Sequence, residues 1–194
     1  MTELSGRKAI SHERIVDVAS HAVRRLGYHG VNVTDVMREA RLTHGGFYAH
    51  FASRDALLAE AVAKAGAEIA AVVRDQSARL VAAGASPFRA LVEIYLSMEH
   101  VRDCDNACPA PLLTGEMFRQ APEVAAPSRR LIIELQARVK KTLPAGTASD
   151  AAWAITSTLL GAVALARALV DGEPKAAQAI LSDTRKNLLA RYDT

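Results

Sequence analysis

Cysteine is nearly missing from this chain. Cys104 and Cys108 are the two among 194 residues, which excludes a disulfide framework and makes a reducing compartment, the cytoplasm, the expected setting. A membrane span is not expected either. The run from Ala151 to Ala166 holds no charge, but it is too short and is interrupted by Thr156, Ser157, Thr158 and Gly161. The opening residues, MTELSGRKAI, lack the apolar stretch of a secretory leader. There is no glycine-rich phosphate loop, no nucleophile elbow and no outstanding pair of carboxylates, so no enzyme is expected. Ser97, Ser157 and His100 form a triad only if their spacing is ignored. The six histidines are dispersed, and no His or Cys pair has the partners that zinc needs; no metal or cofactor is expected. The formal charge is only +3, too mild to suggest a nucleic-acid partner by itself.

What is present favours helices. Half of the residues are apolar, Ala and Leu are abundant and β-branched runs are short, so the expected fold is all-α. Charge is distributed unevenly. Residues 1–55 hold eight Lys/Arg against six Asp/Glu, with five of the six histidines. Within them, NVTDVMREARLTHGGFYAHF, from Asn32 to Phe51, reads as two short helices joined by a tight turn. Asn32 is a good N-cap, with Asp35 three residues on. Val33, Val36, Met37 and Ala40 form one apolar face. Thr43 caps the second helix, whose outward positions are His44, Gly45, Gly46, Tyr48 and His50, while Phe47 and Phe51 face inward. So short a helix cannot stand alone in water. Hydrogen-bonding and aromatic groups beside two glycines that permit close approach suit a helix entering the DNA major groove.

Residues of about 11 to 58 resemble the DNA-binding domain of the tetracycline-repressor (TetR) family of transcription regulators. The resemblance rests on the small-Gly-Tyr end of the first helix, the Asn32-to-Ala40 helix and Leu42-Thr43-His44-Gly45 at the turn. It continues through Phe47-Tyr48-x-x-Phe51 and Ser53-Arg54-Asp55-Ala56-Leu57-Leu58. Arg41 departs from the usual glycine, and His44 from the usual lysine. The resemblance implies that Thr43, Tyr48 and Arg54 grip phosphates, while His44, Gly45, Gly46 and His50 face base edges; Thr34 completes the expected contact set. Few long side chains are available, so readout would lean on thymine methyls, backbone approach and DNA shape.

Along the chain, residues 1–9 read as a loose arm carrying Arg7 and Lys8, either frayed or touching phosphates. Residues 10–57 are the expected helix-turn-helix domain. Its first helix carries Ile15, Val18, Ala19, Ala22, Val23 and Leu26 on one stripe, with Arg14, Asp17, Arg24 and Arg25 elsewhere. Gly27 ends it. Residues 58–194 are expected to form the effector-binding and dimerisation domain. Ser53 caps a long helix to about Ala83, Gly84 and Pro87 break it, and a further helix runs from Pro87 to about Val101. Residues 102–109 form a polar loop, a short segment spans about 110–120, and Pro122 opens a helix that stops near Pro144. The last two helices, about 148–171 and 174–191, suit an intermolecular four-helix bundle, because a helix apolar all round must be covered. A homodimer is expected, and the TetR resemblance implies the same.

That resemblance also implies an effector pocket beyond about residue 60. Tyr95, Met98, Leu112, Met117, Phe118 and Trp153 are candidate lining residues; plain core packing is the alternative for each. Cys104 and Cys108 lie close to His100 and Arg102, cationic groups that would favour a reactive thiolate, whereas Asp103 and Asp105 oppose it. Thiol sensing and structural cysteines therefore both stand. The expected protein is a dimeric repressor on palindromic double-stranded operator DNA, released by a small-molecule or electrophilic effector. An activator of the same fold, or a helical small-molecule binding protein without DNA binding, are the alternatives.

Overall fold

Every regular element is helical among residues 2–148 and 150–193, which a computed structural model describes. Helix α1, Thr2–Gly30, is interrupted at Gly27, where φ is 69° and ψ is −172°. The expected loose arm is therefore helical from Thr2: no proline stands between there and Ser11, so the first helix propagates backwards. Met1 lies outside the described residues. Helix α2, Val33–Glu39, is capped by Asn32, whose side chain accepts from Thr34 N at 2.8 Å and Asp35 N at 3.3 Å.

The second short helix, His44–Ala49, differs from expectation. It is a 3-10 helix, and Thr43 is extended before it without a side-chain cap bond. Six residues containing two adjacent glycines have too little helix propensity to favour α geometry. Packing holds them instead, since Phe47 and Phe51 are buried and stack at 5.5 Å.

Helix α3, Arg54–Ala82, spans both halves of the protein and starts at Ser53, whose Oγ accepts from Ala56 N. Its first half buries Leu57, Leu58, Ala61 and Val62 against α1; its second half packs on α4, Pro87–Tyr95, and on α7, Pro122–Thr142. The expected continuous helix to Val101 breaks after Tyr95. Ser97 is extended and caps a separate short helix, α5, Met98–Arg102, by accepting from His100 N at 3.0 Å. Between α5 and α7 come α6, Ala110–Leu113, and a 3-10 turn, Met117–Arg119.

Helices α8, Ala151–Leu169, and α9, Pro174–Tyr192, pack on each other, with α8 also against α7. Helix α8 is long and apolar enough to cross a membrane by composition alone. Its inner positions, Ile155, Leu159, Val163 and Ala166, are buried in the protein core. Its outer face, Trp153, Ala154, Ser157, Thr158, Gly161 and Leu165, is exposed and carries no charge.

Arg41 is the one non-glycine with positive φ among the described residues, at 58°. A Cβ there costs about 1 kcal/mol or more. Arg41→Gly is expected to stabilise the protein by ~1 kcal/mol, raising Tm by roughly 2–4 °C in a thermal melt. An unchanged or lower Tm would mean that the turn carries no such strain.

Candidate nucleic-acid interface and its link to the body

The turn between the two short helices closes with Arg41 N donating to Arg38 O and Leu42 N to Met37 O, at 3.0 and 2.9 Å. This places Thr34, at the start of α2, beside His44: Thr34 Oγ1 and His44 Nδ1 are 3.3 Å apart. Thr34, Thr43, His44, Gly45 and Tyr48 are all exposed. Tyr48, 73% exposed, stands edge-on to Phe47 at 5.3 Å, so its ring is braced while its hydroxyl is free. A Cβ at Gly45 would meet nothing within 4 Å, whereas one at Gly46 would touch Thr43 Oγ1 at 3.6 Å and Met37 Cε at 3.8 Å. Gly46 therefore packs on the turn and Gly45 opens to the outside.

His50 and Arg54 are placed differently from these five. His50 is half-buried and turned toward His12, with ring centroids 6.1 Å apart and Nδ1 enclosed without a partner. Desolvation lowers its pKa, with His12 and Lys8 adding to the effect. Arg54 Nε donates to Val31 O at 3.0 Å and Nη2 donates to Tyr28 O, carbonyls left open by the break at Gly27. The guanidinium expected at a phosphate thus joins the end of α1 to the start of α3 through Nε and Nη2, while the side chain stays 38% exposed with Nη1 3.9 Å from Asp55.

Three side chains of α1 converge on one residue of the loop after α5. Arg24 Nη1 donates to Asp105 O at 2.9 Å, His21 Nδ1 donates to the same carbonyl at 3.1 Å, and Arg25 pairs with the Asp105 carboxylate at 2.7 Å. Arg24 is only 3% exposed, although helical periodicity sets it off the apolar stripe. Its Nη2 reaches α3 at Ala65 O (3.0 Å) and Glu68 (2.6 Å). Glu68 also pairs with Lys64 at 2.9 Å; burial opposes its ionisation, but these cationic partners keep its pKa low. A second tie joins the end of α1 to α7: the buried Tyr28 hydroxyl donates to Ser128 Oγ at 2.5 Å.

The effector candidates separate into two groups. Tyr95, His100 and Cys108 come together in the interior, with the Tyr95 and His100 rings 4.7 Å apart. Met117 is buried as well. Leu112, Phe118 and Trp153 are exposed, Phe118 beneath Arg119 and Trp153 on the open face of α8, so they are surface groups and not an enclosed lining. Met98 is half-buried.

The expected activation of a thiol by His100 is corrected. Burial, reinforced by Arg167, lowers the His100 pKa to about 3, so the ring is neutral at physiological pH and supplies no cation. Burial pushes the Cys108 thiol up, despite the Tyr95 hydroxyl beside it and Arg167 and Arg138 nearby. Cys104 is the exposed thiol, with Sγ 3.9 Å from Val101 O, and both cysteines are free. No cluster of His, Cys, Asp and Glu suited to a metal occurs among the described residues.

Residues 15–61 match the model of bacterial regulatory proteins of the tetR family. An uncharacterised HTH-type transcriptional regulator of Mycobacterium tuberculosis is 29% identical over 173 residues, covering 84% of this chain and 87% of that protein. Of solved structures, a TetR-family regulator from Agrobacterium tumefaciens shares the fold with a TM-score of 0.73 at 19% identity, covering 95% of this chain and 98% of its own. The reduced form of Escherichia coli NemR does so at 0.71 and 14%, covering 94% and 97%.

Tyr48→Phe is expected to melt like the parent and to bind DNA several-fold more weakly, because it removes one exposed hydroxyl. Arg54→Ala is expected to lower stability by roughly 2 kcal/mol through the loss of its charge-assisted bonds. Paired thermal melts and gel shifts check both. An Arg54→Ala protein of unaltered stability would return that guanidinium to the DNA.

Proposed function

We propose that this chain, a member of the TetR family of transcriptional regulators, works as a dimeric repressor on a palindromic operator. Each protomer would seat its His44–Ala49 helix in the major groove of one half-site. The observation that carries this reading is the exposed face of Thr34, Thr43, His44, Gly45 and Tyr48, mounted on a buried Phe47–Phe51 stack. Hydroxyls of Thr43 and Tyr48 suit phosphates, which set register. His44 with the open backbone at Gly45 suits base edges.

The charge-free outer face of α8 supports pairing with a second copy through a four-helix arrangement of α8 and α9. Release by a small molecule or a thiol-reactive compound is supported by the loop of residues 103–107. Exposed Cys104 adjoins Asp105, which α1 grips from three side chains. Peroxide would convert the Cys104 thiol to a sulfenic acid and be reduced to water. The added oxygen would disturb the grip and so the reading head. A ligand works in the same way only if it favours one of two arrangements.

Leu165→Glu puts a charge on the α8 face without touching the core. Sedimentation of the variant is expected to show a monomer, and gel shifts a loss of roughly 100-fold or more on the protein's own upstream DNA, since two linked heads bind far better than one. Treating Cys104→Ser and Cys108→Ser variants with peroxide separates the signals: release lost in Cys104→Ser supports the thiol route. Unchanged release in both ends it. A dimer that persists in Leu165→Glu with full DNA affinity contradicts the α8 interface.

A further inference from the structure

Among the described residues one side-chain hydrogen bond joins the two short helices of the head, between Thr34 Oγ1 and His44 Nδ1 at 3.3 Å. Which of the two atoms carries the proton decides what the far edge of the ring offers. One nitrogen of a neutral imidazole donates and the other accepts, and the bond made by the first sets the second. The position of Thr34 fixes the answer. Inside a helix a threonine hydroxyl gives its proton to the carbonyl four residues back, as Thr156 does to Ala152 O at 2.7 Å and Thr158 to Ala154 O at 2.9 Å. Thr34 is the second residue of α2, and the residue four places before it, Gly30, ends the preceding helix. Among the described residues its hydroxyl has no partner except His44. The hydroxyl therefore donates to Nδ1, and the ring keeps its own proton on Nε2.

Both members of the pair stand on fixed backbone. Thr34 N donates to Asn32 Oδ1 at 2.8 Å, and α2 is rooted by the buried Val36 and Met37. His44 opens the second helix, whose Gly46 lies against Met37: a Cβ there would be 3.8 Å from Met37 Cε. Thr34 and His44 are themselves exposed, so a partner can reach the ring. A ring already held by Thr34 loses less rotamer freedom on binding than a free one.

A single N–H donor discriminates among base edges in the major groove. Guanine presents two neighbouring acceptors, N7 and O6. Adenine sets an amino donor beside its N7, thymine a methyl beside its O4, and cytosine offers a donor alone. A donor fixed at His44 Nε2 is matched best by guanine.

We propose that Thr34 is a positioning residue that holds His44 as an Nε2–H donor, and that this ring reads the N7 of one guanine in each half-site. The proposal rests on the DNA-binding reading above and deepens it. Thr34 governs sequence preference without touching a base, and its hydroxyl proton is not spent on a phosphate.

Two measurements test it. Ring-nitrogen NMR of the DNA-free protein is expected to show the His44 proton on Nε2; a proton on Nδ1 overturns the assignment whatever the DNA results. The second is affinity for the protein's own upstream duplex, with guanine contacts mapped by dimethyl sulfate interference. In the parent protein, methylation of one guanine N7 per half-site is expected to block binding. Thr34→Val and His44→Ala should lose that interference and bind about 5-fold more weakly, whereas Thr34→Ser, which keeps the hydroxyl, should behave as the parent. On a duplex carrying 7-deazaguanine at that position the parent should fall to the level of Thr34→Val, and Thr34→Val should fall no further. Thermal melts of the variants should match the parent. No guanine interference in the parent, or an equal fall of Thr34→Val on both duplexes, as loss of a phosphate contact would give, overturns the proposal. Absence of specific binding by the parent itself overturns the DNA-binding reading, which separates the two failures.

Discussion

A buried guanidinium holds the two halves of this protein in register. Arg24 sits on the first helix, almost without solvent, and binds the long α3 helix at Ala65 and Glu68 and the loop after α5 at Asp105. Both Nη atoms of this buried charge are hydrogen-bonded while Nε is enclosed without a partner, so losing any of those bonds would leave the guanidinium poorly compensated. Arg24 cannot move alone. It ties α1, and the two short helices packed on α1, to the loop at Asp105. Tyr28 on Ser128 adds a second fixed point four residues further along the same helix.

This arrangement separates rigidity from adjustability. The head has a continuous core running from Ile15 through Phe47 and Phe51 to Leu58, and it is braced by Arg54 on the carbonyls of Tyr28 and Val31. The interior around Tyr95 and His100 holds polar atoms without hydrogen-bond partners, with a narrow gap beside Tyr95. The loop that joins this interior to α1 through Asp105 is only a few residues long.

Much of the fold was legible in the sequence because the signals are local. Asn32 and Ser53 cap helices with their own side chains, and Gly27 takes a positive φ that interrupts α1. Pro87 and Pro174 open helices at their first turns. The exposed face of Thr34, Thr43, His44, Gly45 and Tyr48 was legible for the same reason, as its residues lie within fifteen positions of one another. Arg24 and Asp105 were not, being 81 positions apart, and nothing near Arg24 distinguishes a buried arginine from a solvated one. Likewise Arg167 meets His100 across 67 positions. Phe118 and Trp153 misled because a large apolar side chain suggests an interior, and only packing shows that these two face outward. The 3-10 geometry of His44–Ala49 depends on the core beneath it, which periodicity does not report.

The central claim is that the Thr34–Tyr48 face reads DNA sequence. Fluorescence anisotropy of the protein on its own upstream duplex and on a scrambled duplex, across a salt series, tests it most directly. Tight binding to the upstream duplex alone is expected, with log Kd rising linearly in log salt, and a shallow slope because few basic side chains line the face. Equal affinity for both duplexes, or no binding to either at low salt, would contradict it.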